Sequence, residues 1–329
     1  MNASFSTDQI QLRDAMRELL ARQCTPQVVR GAWSGQRNPE LWASMAELGV
    51  LGISGPEDCN GLGLGLLDAI LIYEESGAAA LPAPLVETAA VAIPLLAEAG
   101  EKRWAAEIAL GRARVALQVD DGYALDADEA DVLLALRDDG AHLVTRDDWS
   151  VTPARSVDHS RRLFAVSWAE GPALPVSPAQ VHAARGRGVV GSAAQLVGLG
   201  RRLLDTTVEY VKNRHQFGRP VGSFQAVQHP LANALVDLDF AAPLIYRAAG
   251  SLDQGIPEAS VHASMAKAFA SDAASAAAKA ALQAHGAMGY SFEYDLHLWM
   301  KRVWCLARSW GDALYHRRRV SDFLDERAS

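Results

Sequence analysis

Cysteine is scarce in this chain. Cys24, Cys59 and Cys305 are odd in number, far apart and in no Cys-x-x-Cys pair, which gives no basis for a disulfide framework or a zinc site. Long apolar runs are lacking too. The most apolar stretch, Leu85 to Ala97, is interrupted by Glu87 and Pro94 and falls short of the roughly 20 residues that cross a bilayer. The opening Met-Asn-Ala-Ser-Phe-Ser-Thr-Asp has no basic segment leading into an apolar one, so no secretory leader is read there. Positive charge is not in surplus. With 39 acidic against 31 basic residues and a net charge of −8, neither nucleic acid nor an anionic membrane is the expected partner. Lysine is rare, 5 against 26 arginines, an imbalance that reads as coding bias rather than phosphate binding. A soluble cytoplasmic protein without a membrane span is the expectation.

Half of the 329 residues are hydrophobic, enough for two to three packed domains. Ser6 and Gln9 stand at capping-box spacing before Ile10, Leu12, Met16, Leu19 and Leu20, predicting an amphipathic helix that Pro26 closes. Further helices are expected at Pro39–Leu48 (ending at Gly49), Leu66–Ser76, Leu85–Ala99 and Glu101–Leu110. The run Gly61-Leu-Gly-Leu-Gly65 lacks both a preceding strand and the Gly-x-Gly-x-x-Gly spacing, so it reads as a flexible inter-helix loop rather than a phosphate loop. After Gly111 the pattern changes to short strand-like runs, Val115–Val119, Val132–Leu136, His142–Thr145 and Leu163–Ser167, separated by turn residues. Helical periodicity returns beyond Pro178, with helices expected over Gln228–Leu252, Pro257–His285 and Phe292–Phe323. Ala-rich sequence from Ala259 to Ala284 suits close helix packing. The expected fold is mainly α with a small β-domain: helices over 1–110, a reduced β-domain over 111–178, and a helical bundle over 179–329.

Two segments carry a resemblance. Arg214-His-Gln-Phe-Gly-Arg-Pro-Val-Gly-Ser-Phe-Gln225, continued by Gln228-His-Pro-Leu-Ala232, and Gln283-Ala-His-Gly-Ala-Met-Gly-Tyr290 are similar to the signatures of the acyl-CoA dehydrogenase family. Pro56-Glu-Asp-Cys-Asn-Gly61 and Tyr73-Glu-Glu-Ser-Gly77 resemble its first helical domain. The resemblance covers about 5–110 and 180–325. It implies FAD as cofactor, bound across a subunit interface by Arg214, Gln216, Phe217, Gln225, Gln283, Gly286 and Ala287, the last standing where a second glycine is usual. A guanidinium at a helix end can fork onto a pyrophosphate, and an aromatic face suits adenine. Without a ligand, Arg214 is a solvated helix-end cation, and Phe217 and Gln283 simply pack.

The departures from the family matter as much. Its members abstract a substrate proton with a Glu, and the two places where relatives carry that Glu correspond here to Trp310 and to about Gly188. Neither side chain can accept a proton. A shifted carboxylate, Glu209, Glu293, Asp295 or Asp312, is the alternative. A Thr-Glu-Pro-like loop and a Trp-Ile-Thr-like strand, which contact the flavin ring in the family, are missing between Gly111 and Pro178. Trp149 and Trp168 read as packing residues. This combination resembles the smaller subunits of α2β2 acyl-CoA dehydrogenases that act on steroid side-chain thioesters. It implies a homologous catalytic partner that supplies the base and holds most of the acyl-CoA, and a separate electron acceptor. The rival readings are a self-sufficient homotetramer, a structural subunit without flavin, and a relative with other chemistry on the same scaffold.

Overall fold

The computed structural model describes residues 5–120, 122–169 and 173–328. Ser6 caps α1 (Thr7–Gln23) as expected: its hydroxyl accepts from Gln9 N while the Gln9 side chain accepts from Ser6 N. Pro26 does not merely close that helix. It opens α2 (Pro26–Trp33), where a missing N–H costs nothing in the first turn. Asn38 caps α3 (Pro39–Glu47). The glycine-rich loop before α4 (Leu66–Ala78) is tied back onto the preceding turn. Gly63 N donates to Gly55 O at 2.8 Å, and a Cβ on Gly61 would stand 2.0 Å from that same carbonyl oxygen, so the chain folds back on itself where only glycine fits.

The segment expected as one helix to Ala99 begins with π-turns over Val86–Ala92 before α5 (Ile93–Glu98), and α6 (Lys102–Ala109) follows. Next come β1 (Val115–Val119), β2 (Ala124–Leu125), β3 (Val132–Leu136), β4 (Ala141–Thr145), β5 (Trp149–Ala154) and β6 (Leu163–Trp168). They form two three-stranded sheets, β1-β3-β4 and β2-β6-β5. β1 and β3 are parallel, and the other pairs are antiparallel. Ala116, Leu133, Val144, Trp149 and Phe164 form the small core between them. Trp149 packs there, and Trp168 donates its indole N–H to Gln118 Oε1 at 2.9 Å.

The long α7 (Pro178–Asn213) is capped by a second box, Ser177 with Gln180. It packs on α4, α8 (Gln225–Asp253), α9 (Ala259–His285) and α10 (Leu296–Leu306). A short hairpin, β7 (His215–Gln216) and β8 (Arg219–Pro220), joins α7 to α8. The single helix expected over Phe292–Phe323 is broken: α10 ends at Leu306, and the chain resumes as α11 (Ala313–Ala328). Trp310 (φ +61°) and Gly311 (φ +93°) turn the chain left-handed between them, which ends any helix. One hydrophobic core joins the helices on both sides of the sheets. The buried Arg302 of α10 reaches across to donate to Leu81 O (2.7 Å), Ser160 Oγ (2.7 Å) and the Asp158 carboxylate. The fold is mainly α with a small β region, as expected. No described helix is long and apolar enough to cross a membrane.

Candidate functional site

Both sequence motifs begin where a bundle helix stops. At the end of α7, Arg214 leaves the helix with ψ +120° and its N–H on Tyr210 O. Its carbonyl accepts from Val221 N at 2.8 Å, which closes the loop carrying the hairpin. Phe217 (φ +53°) and Gly218 (φ +77°) make the two-residue turn, the geometry a tight hairpin needs. A bulky residue with positive φ is strained, and here it holds an aromatic ring out in solvent, 91% exposed. Phe217 meets Phe224 edge-on at 6.2 Å, and Arg219 lies over that ring at 4.0 Å. Gln216 is exposed on the hairpin and Gln225 on the first turn of α8. The exposed Arg214 guanidinium has no hydrogen bond or ion pair with any described residue.

Helices α7 and α9 pack directly on each other, and their C-terminal ends lie together. Gln283 is exposed in the last turn of α9, Gly286 turns out of the helix at φ +58°, and Ala287 is exposed beyond it. The link to the first motif is His285, which sequence reasoning passed over. Its Nδ1 donates to Ala281 O at 2.9 Å, leaving Nε2 to accept from Tyr294 Oη at 3.3 Å. Its ring stacks on Tyr210 with centroids 4.2 Å apart. Burial holds its pKa below the usual histidine value, so the neutral ring that stacking and this tautomer require is retained. Tyr210, His285 and Tyr294 thus fix the Arg214 loop against the Gln283–Gly289 turn.

The other end of the bundle is a separate place. A cleft of about 1150 Å³ opens there between the sheets, the start of α7, the start of α9 and the α10–α11 turn. Gly188 and Arg214 are roughly 39 Å apart along α7 at 1.5 Å per residue. Strands β1, β2 and β6 give the cleft Leu117, Val119, Leu125 and Leu163, an apolar wall. Trp310 also lines it, and its indole covers Gly188 so closely that a Cβ there would stand 2.4 Å from Cη2. The two positions examined for a base therefore occupy one spot, and neither carries an acid.

The turn that bears Trp310 is firmly held. The Lys267 ammonium, fully buried in α9, donates to Leu306 O (3.0 Å), Gly311 O (3.1 Å) and Ser271 Oγ (3.1 Å). Burial brings its pKa down to about 7. The buried His316 donates from Nε2 to Trp310 O at 2.9 Å and accepts at Nδ1 from Ser264 Oγ at 3.2 Å. Burial brings that imidazole down to about 4.

Of the four carboxylates considered as shifted bases, none lines the cleft. Glu209 accepts from Asn213 near the end of α7, and Glu293 is exposed beside Asp295, which pairs with Arg30. Asp312 accepts from Tyr315 N at 2.8 Å as a cap of α11. Among the described residues the cleft carboxylates are Glu87 and Asp120, which sequence reasoning missed. Glu87 lies on the π-turn segment, 3.8 Å from Arg161, and Asp120 pairs with Arg185. A break in a helix's regular winding is the local feature that draws attention to Glu87, and it is not visible in sequence.

Comparison with known proteins agrees with this architecture. Residues 6–109 match the N-terminal domain of acyl-CoA dehydrogenases and residues 181–324 their C-terminal domain. The chain is 34% identical to the acyl-CoA dehydrogenase IpdE2 of Mycobacterium tuberculosis over 296 residues, 89% of each chain. It is 31% identical to IpdE2 of Mycolicibacterium smegmatis over 312 residues, 94% of this chain and 96% of that one. Among solved structures the fold is shared with the Tcur3481-Tcur3483 steroid ACAD (TM-score 0.88, 24% identity, 97% of this chain and 98% of that one). It is shared equally with the ChsE4-ChsE5 complex from Mycobacterium tuberculosis (TM-score 0.88, 21% identity, 99% of each). With two domain matches in order and a relative above 30% identity over most of both chains, the protein belongs to the acyl-CoA dehydrogenase family, whose cofactor is FAD.

Proposed function

We propose that this chain is the subunit of a heteromeric acyl-CoA dehydrogenase that helps hold FAD and supplies no catalytic base. The observation that carries the reading is the Trp310 indole packed onto Gly188, with an apolar ring and a hydrogen atom where proton abstraction needs a basic oxygen. Further support comes from the relatives, whose names and descriptions include a steroid ACAD and a two-component complex. A steroid side-chain CoA thioester is the substrate class we propose on that ground, with most of its contacts in the partner.

The residues at the motif end suit a dinucleotide. Arg214 offers uncommitted donors for a pyrophosphate, worth roughly 1.5–3 kcal/mol for a charge-assisted bond, and Phe217 offers an exposed flat face. Gln216, Gln225 and Gln283 can bond ribose or phosphate oxygens, while Gly286 and Ala287 leave room for close approach. When bound, FAD accepts the substrate's β-hydride. The separation between the motif end and the cleft exceeds what one dinucleotide spans. A flavin held at Arg214 therefore has its ring against another subunit. The half-site, the partner's base and a separate electron acceptor complete the proposal.

Purifying the chain alone and with its homologous partner, and recording flavin absorbance for each, tests this. We expect flavin only in the assembly. A yellow, stable homotetramer with one FAD per chain overturns it. Glu87, the cleft carboxylate held by a 3.8 Å ion pair, supports a second reading in which this chain is its own base.

A further inference from the structure

The proposal above leaves the cleft without a task, although it is large and its lining is not that of a collapsed remnant. Pockets for small organic ligands run to roughly 300–1,000 Å³, and this one is of that scale. One wall is apolar: Leu117, Val119 and Leu163 from the sheets and Val189 from α7. The charge on the remaining lining is unbalanced. Among the described lining residues, Arg161, Arg185, Arg308 and Arg319 stand with two carboxylates, Glu87 and Asp120, and Arg185 has Asp138 as a further ion partner at 3.6 Å.

Arg161 is the telling residue. Its side chain is 11% exposed, and it also lines a small neighbouring pocket beside Gln195 and Arg302. Of five guanidinium donors, one is used, Nη1 on Ser309 Oγ at 2.9 Å. Glu87 stands at 3.8 Å, a charge partner beyond hydrogen-bond reach. None of the remaining Arg161 nitrogens is sealed from solvent without a partner, so those donors are free to exchange water for a ligand's acceptor. The planar fork fits a carboxylate with two parallel bonds, and nearby Glu87 disfavours a dianion such as a phosphate monoester.

We propose that this cleft is a binding pocket for an amphipathic carboxylate, whose acid end meets Arg161 and whose apolar body lies along Leu117, Val119, Leu163 and Val189. The ligand is bound and not transformed, a clause that rests on the reading of this chain as lacking a base. The pocket makes the subunit responsive to a free carboxylic acid chemically akin to a substrate acyl chain.

Isothermal titration calorimetry of the purified protein, with its partner subunit where one co-purifies, tests the pocket with decanoate and with decan-1-ol as the uncharged probe of equal length. We expect one decanoate site per copy of this chain. In Arg161→Gln that site weakens at least tenfold, while decanol affinity changes little. Ala183→Phe, which fills the cleft from α7, removes both. Absence of a decanoate site, or a site unaffected by Arg161→Gln and Ala183→Phe in folded protein, overturns the proposal. Binding is read without flavin or turnover, so such a result leaves the base assignment to be judged by proton exchange.

Discussion

The Trp310 indole and the Gly188 backbone occupy one another's space: a methyl group at Gly188 would lie 2.4 Å from Cη2 and 2.6 Å from Cζ2 and Cζ3 of that ring. The packing is reciprocal, so a test must change both partners. Gly188→Ala overpacks the contact and is expected to destabilise the protein by about 1–3 kcal/mol. In a Trp310→Leu background the same substitution costs much less. Denaturant unfolding of the two singles and the double measures the coupling. Additive effects would show that the indole does not rest on Gly188.

Arg214→Ala is expected to weaken FAD retention in the assembled complex by about 1.5–3 kcal/mol, with the melting profile of the protein nearly unchanged. The side chain is exposed and makes no contact that the fold needs. Flavin release measured by fluorescence on dilution reads the effect. Equal release from variant and wild type removes Arg214 from the cofactor site.

Leu235, Val236 and Phe240 are exposed on α8, and Leu314, Tyr315 and Leu324 on α11. Uncovered apolar surface of this kind marks an interaction face. Expressed alone, the chain is expected to be flavin-poor and to aggregate. Co-expression with a homologous subunit is expected to yield a defined assembly by light scattering. A well-behaved monomer at high concentration contradicts the assembly reading.

His316 sets an acid limit on the turn that bears Trp310. Its folded pKa is about 4, pushed below the usual 6.5 by burial. Between those values the unfolded chain takes a proton that the folded chain refuses. This contribution to stability is complete above pH 6.5 and is lost as pH falls toward 4. His316→Gln keeps a donor for Trp310 O and an acceptor for Ser264 Oγ without titrating. Its unfolding free energy is expected to fall less steeply than wild type over that window. Parallel profiles would exclude His316 as the titrating group.

What the sequence made legible was mostly local. The Ser6–Gln9 box involves residues three apart, and the four strand runs that were recognised have side chains suited to a buried sheet. β5 escaped notice because Trp149–Ala154 is an outer strand with one buried position and a proline. The break between α10 and α11 escaped notice because apolar periodicity runs through it. What stops the helix is a left-handed turn secured by Lys267, some forty residues earlier in the chain. The two family motifs were readable for the same local reason as the capping box. Tyr210, His285 and Tyr294 act by stacking across helix ends, and Arg161 meets the cleft only through the fold, so neither group has a sequence pattern to reveal it.

The central claim is that this chain abstracts no proton, and exchange of the substrate α-hydrogen with solvent deuterium tests it most directly. The FAD-loaded complex is incubated with acyl-CoA in deuterium oxide and the label is followed by mass spectrometry. Glu87→Gln and Asp120→Asn change the carboxylates that line this chain's cleft, and the amide variants of Glu209, Glu293, Asp295 and Asp312 cover the remaining candidates. A positioned base contributes roughly 10²–10⁴ in rate, well beyond measurement scatter. The account predicts exchange near the wild-type rate in all six, and its abolition when the partner's catalytic carboxylate becomes an amide. Loss of exchange in any one of the six, with fold and FAD content intact, would show that this chain carries its own base.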